Sequence, residues 1–118
     1  AREMALECEA NVEYVDKHDL NLLTDNRPHQ GLVLDASPLE YEATTHLQPP
    51  QDPTHLPVWV ALDEVTDPQN LGSVLRSAWF MGAAGVIVCA KNSAPLSATV
   101  SKASVGAMEM MPVHSVKN

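Results

Sequence analysis

Three stretches decide the fold: Val58-Trp59-Val60-Ala61-Leu62-Asp63, Asp67-Pro68-Gln69-Asn70-Leu71-Gly72 and Val86-Ile87-Val88-Cys89. The first and last are nearly continuous apolar runs of strand length, the pattern of parallel strands buried on both faces. Between them, Asp67 reads as a helix N-cap and Pro68 as the first helical residue, where a missing N–H costs nothing. Leu71, Val74, Leu75, Ala78 and Trp79 then recur at helical spacing, and Gly82 to Gly85 ends the run. A strand-helix-strand unit follows, with a crossover expected to be right-handed and a sheet expected to be parallel. Trp59 and Trp79 fall on core-facing positions and are read as packing residues rather than base-stacking platforms.

Downstream, a Ser/Asn/Pro loop leads to a short amphipathic helix near Ser97 to Lys102. A small-residue turn at Ser104-Val105-Gly106-Ala107 precedes a third strand predicted over Met108 to His114. Upstream, residues 2–8 read as the end of a helix, Val12 to Val15 as a short strand, and Leu20, Leu22 and Leu23 as a short helix after Asp19. Arg27-Pro28-His29-Gln30-Gly31 breaks that helix and leads into a strand at Leu32-Val33-Leu34. From Ser37 to Pro57 five prolines (Pro38, Pro49, Pro50, Pro53 and Pro57) and an absence of hydrophobic periodicity predict an extended, semi-rigid linker.

Composition narrows the function classes. The 118 residues are 45% hydrophobic, enough for one modest domain or parts of two, and unlike a disordered tail. No run approaches the roughly 18 apolar residues of a membrane span, and the opening Arg2-Glu3 is unlike a signal peptide, so a soluble segment without membrane association is expected. Cys8 and Cys89 stand far apart with no further Cys or His at zinc spacing; two reduced, unpaired thiols and no metal site are expected. His18, His46, His55 and His114 likewise show no ligand spacing. The net charge of −8 counts against nucleic-acid binding, but it is unevenly placed. Residues 1–57 hold eleven acids against three bases, whereas residues 58–118 hold four of each.

The neutral half carries the string Asp63-x-Val65-x-Asp67-Pro68-x-Asn70-x-Gly72-x-x-x-Arg76, outside the carboxyl end of a strand and at the start of a helix, where α/β proteins place functional loops. Gly72 and Arg76 share a helical stripe off the centre of the apolar face. A ligand approaching the bare Gly72 backbone while Arg76 holds it is one reading, and exposed N–H groups in the first turn would favour an anion. Taken singly, the same residues read more simply: Asp67 as a cap, Asn70 as a solvated first-turn residue and Arg76 as a surface charge.

The spacing resembles the first motif of the SpoU/TrmH branch of the SPOUT methyltransferases, in which Asp-Pro-x-Asn-x-Gly precedes Arg-x-Ala on a helix. Here it reads Asp67-Pro68-Gln69-Asn70-Leu71-Gly72 and Arg76-Ser77-Ala78. The likeness continues in register through Gly82-Ala83, Asn92-Ser93-Ala94-Pro95-Leu96 and Ser101-Lys102-Ala103-Ser104-Val105-Gly106-Ala107-Met108-Glu109. His29-Gln30-Gly31 before a Leu/Val run resembles the end of the ribosomal-protein-L30e-like RNA-binding domain that precedes the catalytic domain in many members.

The resemblance implies an α/β chain: residues 1–37 as the end of the L30e-like domain, residues 38–57 as linker, and residues 58–118 as the first half of a parallel-sheet SPOUT domain. It implies transfer of a methyl group from S-adenosylmethionine to a ribose 2′-hydroxyl of rRNA, with Asn70 and Arg76 at the catalytic-motif positions. A guanidinium with a pKa above about 12 is a poor base but a good bidentate phosphate clamp, which favours an RNA-holding role for Arg76. His29 and Gln30 are further RNA-contact candidates, with a structural turn histidine the plainer reading of His29. Ser104, Gly106 and Glu109 match a stretch beside the cofactor site, or simply a tight entry into a strand. The wording of these motifs is similar to mitochondrial large-subunit rRNA ribose methyltransferases, which implies a mitochondrial location, and members usually form homodimers.

Two family motifs, Gly-x-Glu-x-x-Gly and Ser-Leu-Asn-Val-Ser, do not occur before Asn118. They would supply the trefoil knot and most of the cofactor cradle. The expectation is therefore a piece of a larger enzyme, without the knot portion and with little cofactor affinity of its own; the rival expectation is a non-catalytic RNA-binding or assembly fragment.

Overall fold

The computed structural model describes residues 2–47 and 56–117, and the chain divides into two units, Ala1–Ala36 and Ser37–Asn118. Pro49, Pro50, Pro53 and His55 of the predicted linker lie outside the described residues.

The first unit holds two short helices, α1 (Arg2–Glu7) and α2 (Lys17–Leu23), neither with a buried residue. Asp16 starts α2 by accepting the Asp19 N–H at 2.9 Å, and the Thr24 hydroxyl closes it by donating to the Leu20 carbonyl at 3.0 Å. Neither stretch predicted as a strand here, Val12 to Val15 or Leu32 to Leu34, is one. A strand exists only by pairing, and neither stretch pairs with a neighbour among the described residues. Apolar character alone does not supply the second half of the ladder.

The second unit is a four-stranded sheet with helices. In chain order it contains β1 (Glu42–Ala43), β2 (Trp59–Leu62), α3 (Pro68–Phe80), β3 (Gly85–Cys89), α4 (Ala98–Ser104), α5 (Ala107–Met110) and β4 (Val113–Val116). The strands lie in the order β1-β4-β3-β2 and every pairing is parallel, as expected for the apolar runs. Register pairs Trp59 with Gly85 and Leu62 with Val88, so the two strands end together, and the loops after Leu62 and Cys89 leave from the same edge.

One face of the sheet builds the core. Val86, Val88 and Val113 pack with Leu71, Leu75 and Ala78 of α3, Val100 of α4 and Met108 of α5, all buried. Removing a side chain such as Leu75 from this cluster would cost about 2–5 kcal/mol through lost transfer energy and a cavity. On the opposite face Trp59 lies over Gly85, where a Cβ would sit 2.3 Å from the indole ring, and reaches the His114 ring at 5.4 Å between centroids. Trp79 departs from its predicted packing role: it is 46% exposed, and Phe80 and Met81 beside it are more so. Leu71, Leu75 and Ala78 already fill the buried stripe of α3, which leaves its last turn outside the core.

Two further expectations are corrected. The predicted strand over Met108 to His114 begins only at Val113, because Val105 (φ 55°) and Gly106 (φ 86°) turn the chain left-handed into the short helix α5. Within the predicted linker, Glu42 and Ala43 add a strand to β4 opposite His114 and Ser115. Their side chains carry no apolar alternation from which a strand could be read; main-chain pairing to an open edge puts them there.

Candidate functional site

Asp67 positions the motif helix. Its carboxylate accepts from the backbone N–H of Gln69 at 2.7 Å and of Asn70 at 2.9 Å, and its carbonyl accepts from Leu71 at 3.0 Å. Pro68 has no N–H, so the whole first turn is satisfied internally and carries a negative charge at its tip. The anion-binding reading of this helix start is thereby overturned: Pro68 has no N–H, those of Gln69 and Asn70 are already taken, and the Asp67 carboxylate would repel a phosphate.

Gly72 is also reassigned. It is buried, and a Cβ there would lie 2.5 Å from the Ala103 Cβ, 2.9 Å from the Val100 carbonyl oxygen and 3.0 Å from the Ser104 nitrogen. The bare backbone is for α4, not for a ligand. This contact joins the two motif segments, Asp67–Arg76 and Ser101–Glu109, into one packed seam. Ser104, the buried polar residue of the seam, donates to the Ser101 carbonyl at 3.0 Å and accepts from the Met108 N–H at 3.2 Å. It fixes the turn through Gly106, and its hydroxyl is already committed on both sides. Glu109 is exposed on α5.

Asn70 and Arg76 differ from these. Both are exposed, and among the described residues neither side chain makes a hydrogen bond or an ion pair. Six residues apart, they are separated by about 9 Å of helix rise, and the structure does not bring them into contact. Ser73 and Ser77, on the same exposed side, donate back to the carbonyls of Gln69 and Ser73 at 2.9 Å each.

The loops at the carboxyl ends of β2 and β3 are stitched together. Cys89 Sγ donates to Asp63 Oδ1 at 3.4 Å, Asn92 Nδ2 donates to Glu64 Oε1 at 2.9 Å, and the Ala94 N–H donates to the Val65 carbonyl at 2.9 Å. Hydrogen bonding to the Asp63 carboxylate, with desolvation and the negative charge nearby, pushes the Cys89 thiol above its ordinary range. The Tyr41 hydroxyl donates to the Ala94 carbonyl from the other side. Burial pushes the Tyr41 phenol up as well. Tyr41 escaped sequence reasoning, although it is the one aromatic between Ser37 and Pro57 and so the stretch's natural anchor.

In the first unit, both ring nitrogens of His29 are used: Nε2 pairs with Asn21 Oδ1 at 2.9 Å and Nδ1 accepts the Gly31 N–H at 3.1 Å. That is the arrangement of a turn histidine, with Nε2 carrying the proton. Gln30 is exposed beside it. His114 Nδ1 lies 3.3 Å from Glu42 Oε2, near enough for charge attraction once protonated but not aligned for a hydrogen bond. An open cleft of about 510 Å³ borders this pair and is lined also by Thr44, His46 and Trp59. None of Asn70, Arg76, Ser104, Gly106 or Glu109 lines it. Both cysteines are free thiols, and no cluster of three or more metal-ligating side chains occurs among the described residues. No helix among them is long and apolar enough to cross a membrane.

Comparison with known proteins bears on what this arrangement serves. Residues 57–118 match the SpoU rRNA Methylase family, and residues 1–42 match the RNA 2′-O ribose methyltransferase substrate binding family. A mitochondrial rRNA methyltransferase 1 from Schizosaccharomyces pombe is 37% identical over 91% of this chain and 44% of its own length. The Homo sapiens protein of the same name is 41% identical over 84% of this chain and 28% of its own. A putative TrmH family tRNA/rRNA methyltransferase from Staphylococcus haemolyticus is 42% identical, over 91% of this chain and 43% of that protein. The chain thus spans less than half the length of these relatives. Among solved structures, an AdoMet-bound rRNA methyltransferase from Sinorhizobium meliloti superposes with a TM-score of 0.59 over 87% of this chain and 38% of that one. At 23% identity that likeness bears on fold alone.

Proposed function

The chain belongs to the SpoU rRNA methylase family, and from that premise we propose that the protein it forms part of transfers a methyl group from S-adenosylmethionine to a ribose 2′-hydroxyl of rRNA. The observation that carries this reading is the contrast within one motif helix. Asp67 and Gly72 are consumed by capping and packing, while Asn70, in the first turn of α3 at the carboxyl edge of a parallel sheet, and Arg76, further along the same helix, stand exposed and make no hydrogen bond or ion pair among the described residues.

Methyl transfer is an in-line displacement: oxygen, methyl carbon and sulfonium sulfur must be aligned and kept from water. Arg76 would hold the phosphate next to the target ribose, because its guanidinium offers paired donors and does not readily give up a proton. Asn70 would orient the ribose hydroxyl itself, since it makes no hydrogen bond to Arg76. S-adenosylmethionine supplies the activated methyl group when bound. No contact to it is assigned to Ser104, whose hydroxyl is already bonded within the chain, or to Gly106 or Glu109. Gln30 would meet RNA from the first unit, with His29 holding the turn beneath it. The naming of several relatives as mitochondrial supports a mitochondrial protein acting on mitochondrial rRNA, and the intact protein is proposed to be a homodimer.

The test is chemical. Intact protein is incubated with a labelled methyl donor and large-subunit rRNA, and the product is hydrolysed in alkali. A 2′-O-methyl group removes the nucleophile for strand cleavage, so label is expected in alkali-resistant dinucleotides. Label in mononucleotides would mean base methylation, and no incorporation would remove the reading.

A further inference from the structure

We propose that Tyr41 is a positioning residue for methyl transfer, acting through the Ala94 loop on the segment that carries Asn70; this rests on the function proposed above. Tyr41 lies immediately before β1 and half-buried against the core. Its hydroxyl donates to the carbonyl of Ala94, 53 residues away. Ala94 is buried, and its own N–H donates to the Val65 carbonyl at 2.9 Å. Val65 stands two residues before Asp67, whose carboxylate fixes the backbone N–H of Asn70 at 2.9 Å. A path of hydrogen bonds and main chain thus runs from a residue in a proline-rich stretch to the backbone of a proposed catalytic residue.

The anchoring of Tyr41 makes this more than proximity. Directly after it, Glu42 and Ala43 pair with β4, and the Thr44 N–H donates to the Ser115 carbonyl at 2.9 Å. The tyrosine is held at its base by strand pairing and at its tip by Ala94. Its hydroxyl therefore works as a strut between the sheet edge and the Ala90–Leu96 loop. Asn92 and Ser93 of that loop are tied to Glu64 and to the Cys89 carbonyl, at 2.9 Å and 2.7 Å, so movement at Ala94 is passed to the loop after β2 rather than absorbed.

Tyr41→Phe keeps the ring and removes only the strut. In the intact protein, kcat is expected to fall about fivefold, the size of one lost net hydrogen bond, with KM for S-adenosylmethionine and RNA unchanged. Amide exchange supplies a readout that does not depend on activity. Protection of the Ala94 N–H is expected to fall about tenfold while that of Val86 and Val88 holds. Unchanged kcat, or an equal loss of protection at all three amides, would overturn the positioning role. Should the unsubstituted protein prove not to methylate RNA, the proposed function fails and the link to methyl transfer fails with it. The strut itself is then judged by exchange alone, with a selective loss at Ala94 supporting it and no change overturning it.

Discussion

The two sides of α3 make opposite use of one motif. The inward side, Leu71, Gly72, Leu75 and Ala78, is buried, and its glycine meets the Val100 carbonyl and the Ser104 backbone almost at contact. On the outward side, Asn70 and Arg76 make no hydrogen bond or ion pair among the described residues, and Ser73 and Ser77 bond back to their own helix. Residues that a sequence motif presents as one signature therefore divide into those that set the position of the helix and those that the helix presents. The division predicts that substitutions on the two sides fail in different ways.

The largest effect is expected at Arg76. Arg76→Ala should lower methylation by at least about a hundredfold, the scale of losing a charge-stabilising group, while stability changes by less than about 0.5 kcal/mol, as for exposed positions without partners. Parallel rate and urea-unfolding measurements check this. Near-normal turnover would break the comparison by showing that the outward side is only surface.

Gly72→Ala should invert the pattern. The added methyl meets backbone atoms of α4 and the Ala103 Cβ, none of them the free end of a long side chain. Overpacking of up to about 3 kcal/mol, offset by up to about 1 kcal/mol of helix propensity, leaves a destabilisation of about 2 kcal/mol in urea unfolding. A neutral result would mean that the α3–α4 seam can open, and would return Gly72 to the ligand-approach reading.

Ser104→Ala sharpens the same side. It strands the buried Met108 N–H without an acceptor, for a loss of about 1.5 kcal/mol. Ser104→Thr, which keeps the hydroxyl, separates the hydrogen bond from the packing: if the bond matters, Thr is milder than Ala in the same titration.

What could be read from the sequence follows the same division. The β2-α3-β3 unit, its cap at Asp67 and its parallel pairing were legible because each is written locally, in apolar runs, a helical period and Asp-Pro. Asn70 and Arg76 are singled out in the sequence only through the resemblance, and their proposed roles rest on it, since nothing about an exposed polar residue on a helix distinguishes one task from another. Three features were not legible at all. The role of Gly72 depends on α4, nearly thirty residues downstream, and β1 on an edge offered by β4. The exposure of Trp79 depends on where the helices of the core stop. Each is a property of two segments that meet only in the folded chain.

Val105 gives the smallest and least obvious prediction. It is a β-branched residue held at φ 55°, 70% exposed, at the end of α4. A left-handed conformation costs an L-residue roughly 1–2 kcal/mol, which glycine avoids. Against this, glycine gains unfolded-state freedom worth roughly 0.5–1 kcal/mol. Little packing is lost from so exposed a side chain, so Val105→Gly should stabilise the second unit by about 0.5 kcal/mol, read as a small rise in the urea midpoint. Destabilisation instead would mean that the isopropyl group is packed against something, and that the turn joining α4 to α5 belongs with the inward, structural residues rather than with the surface.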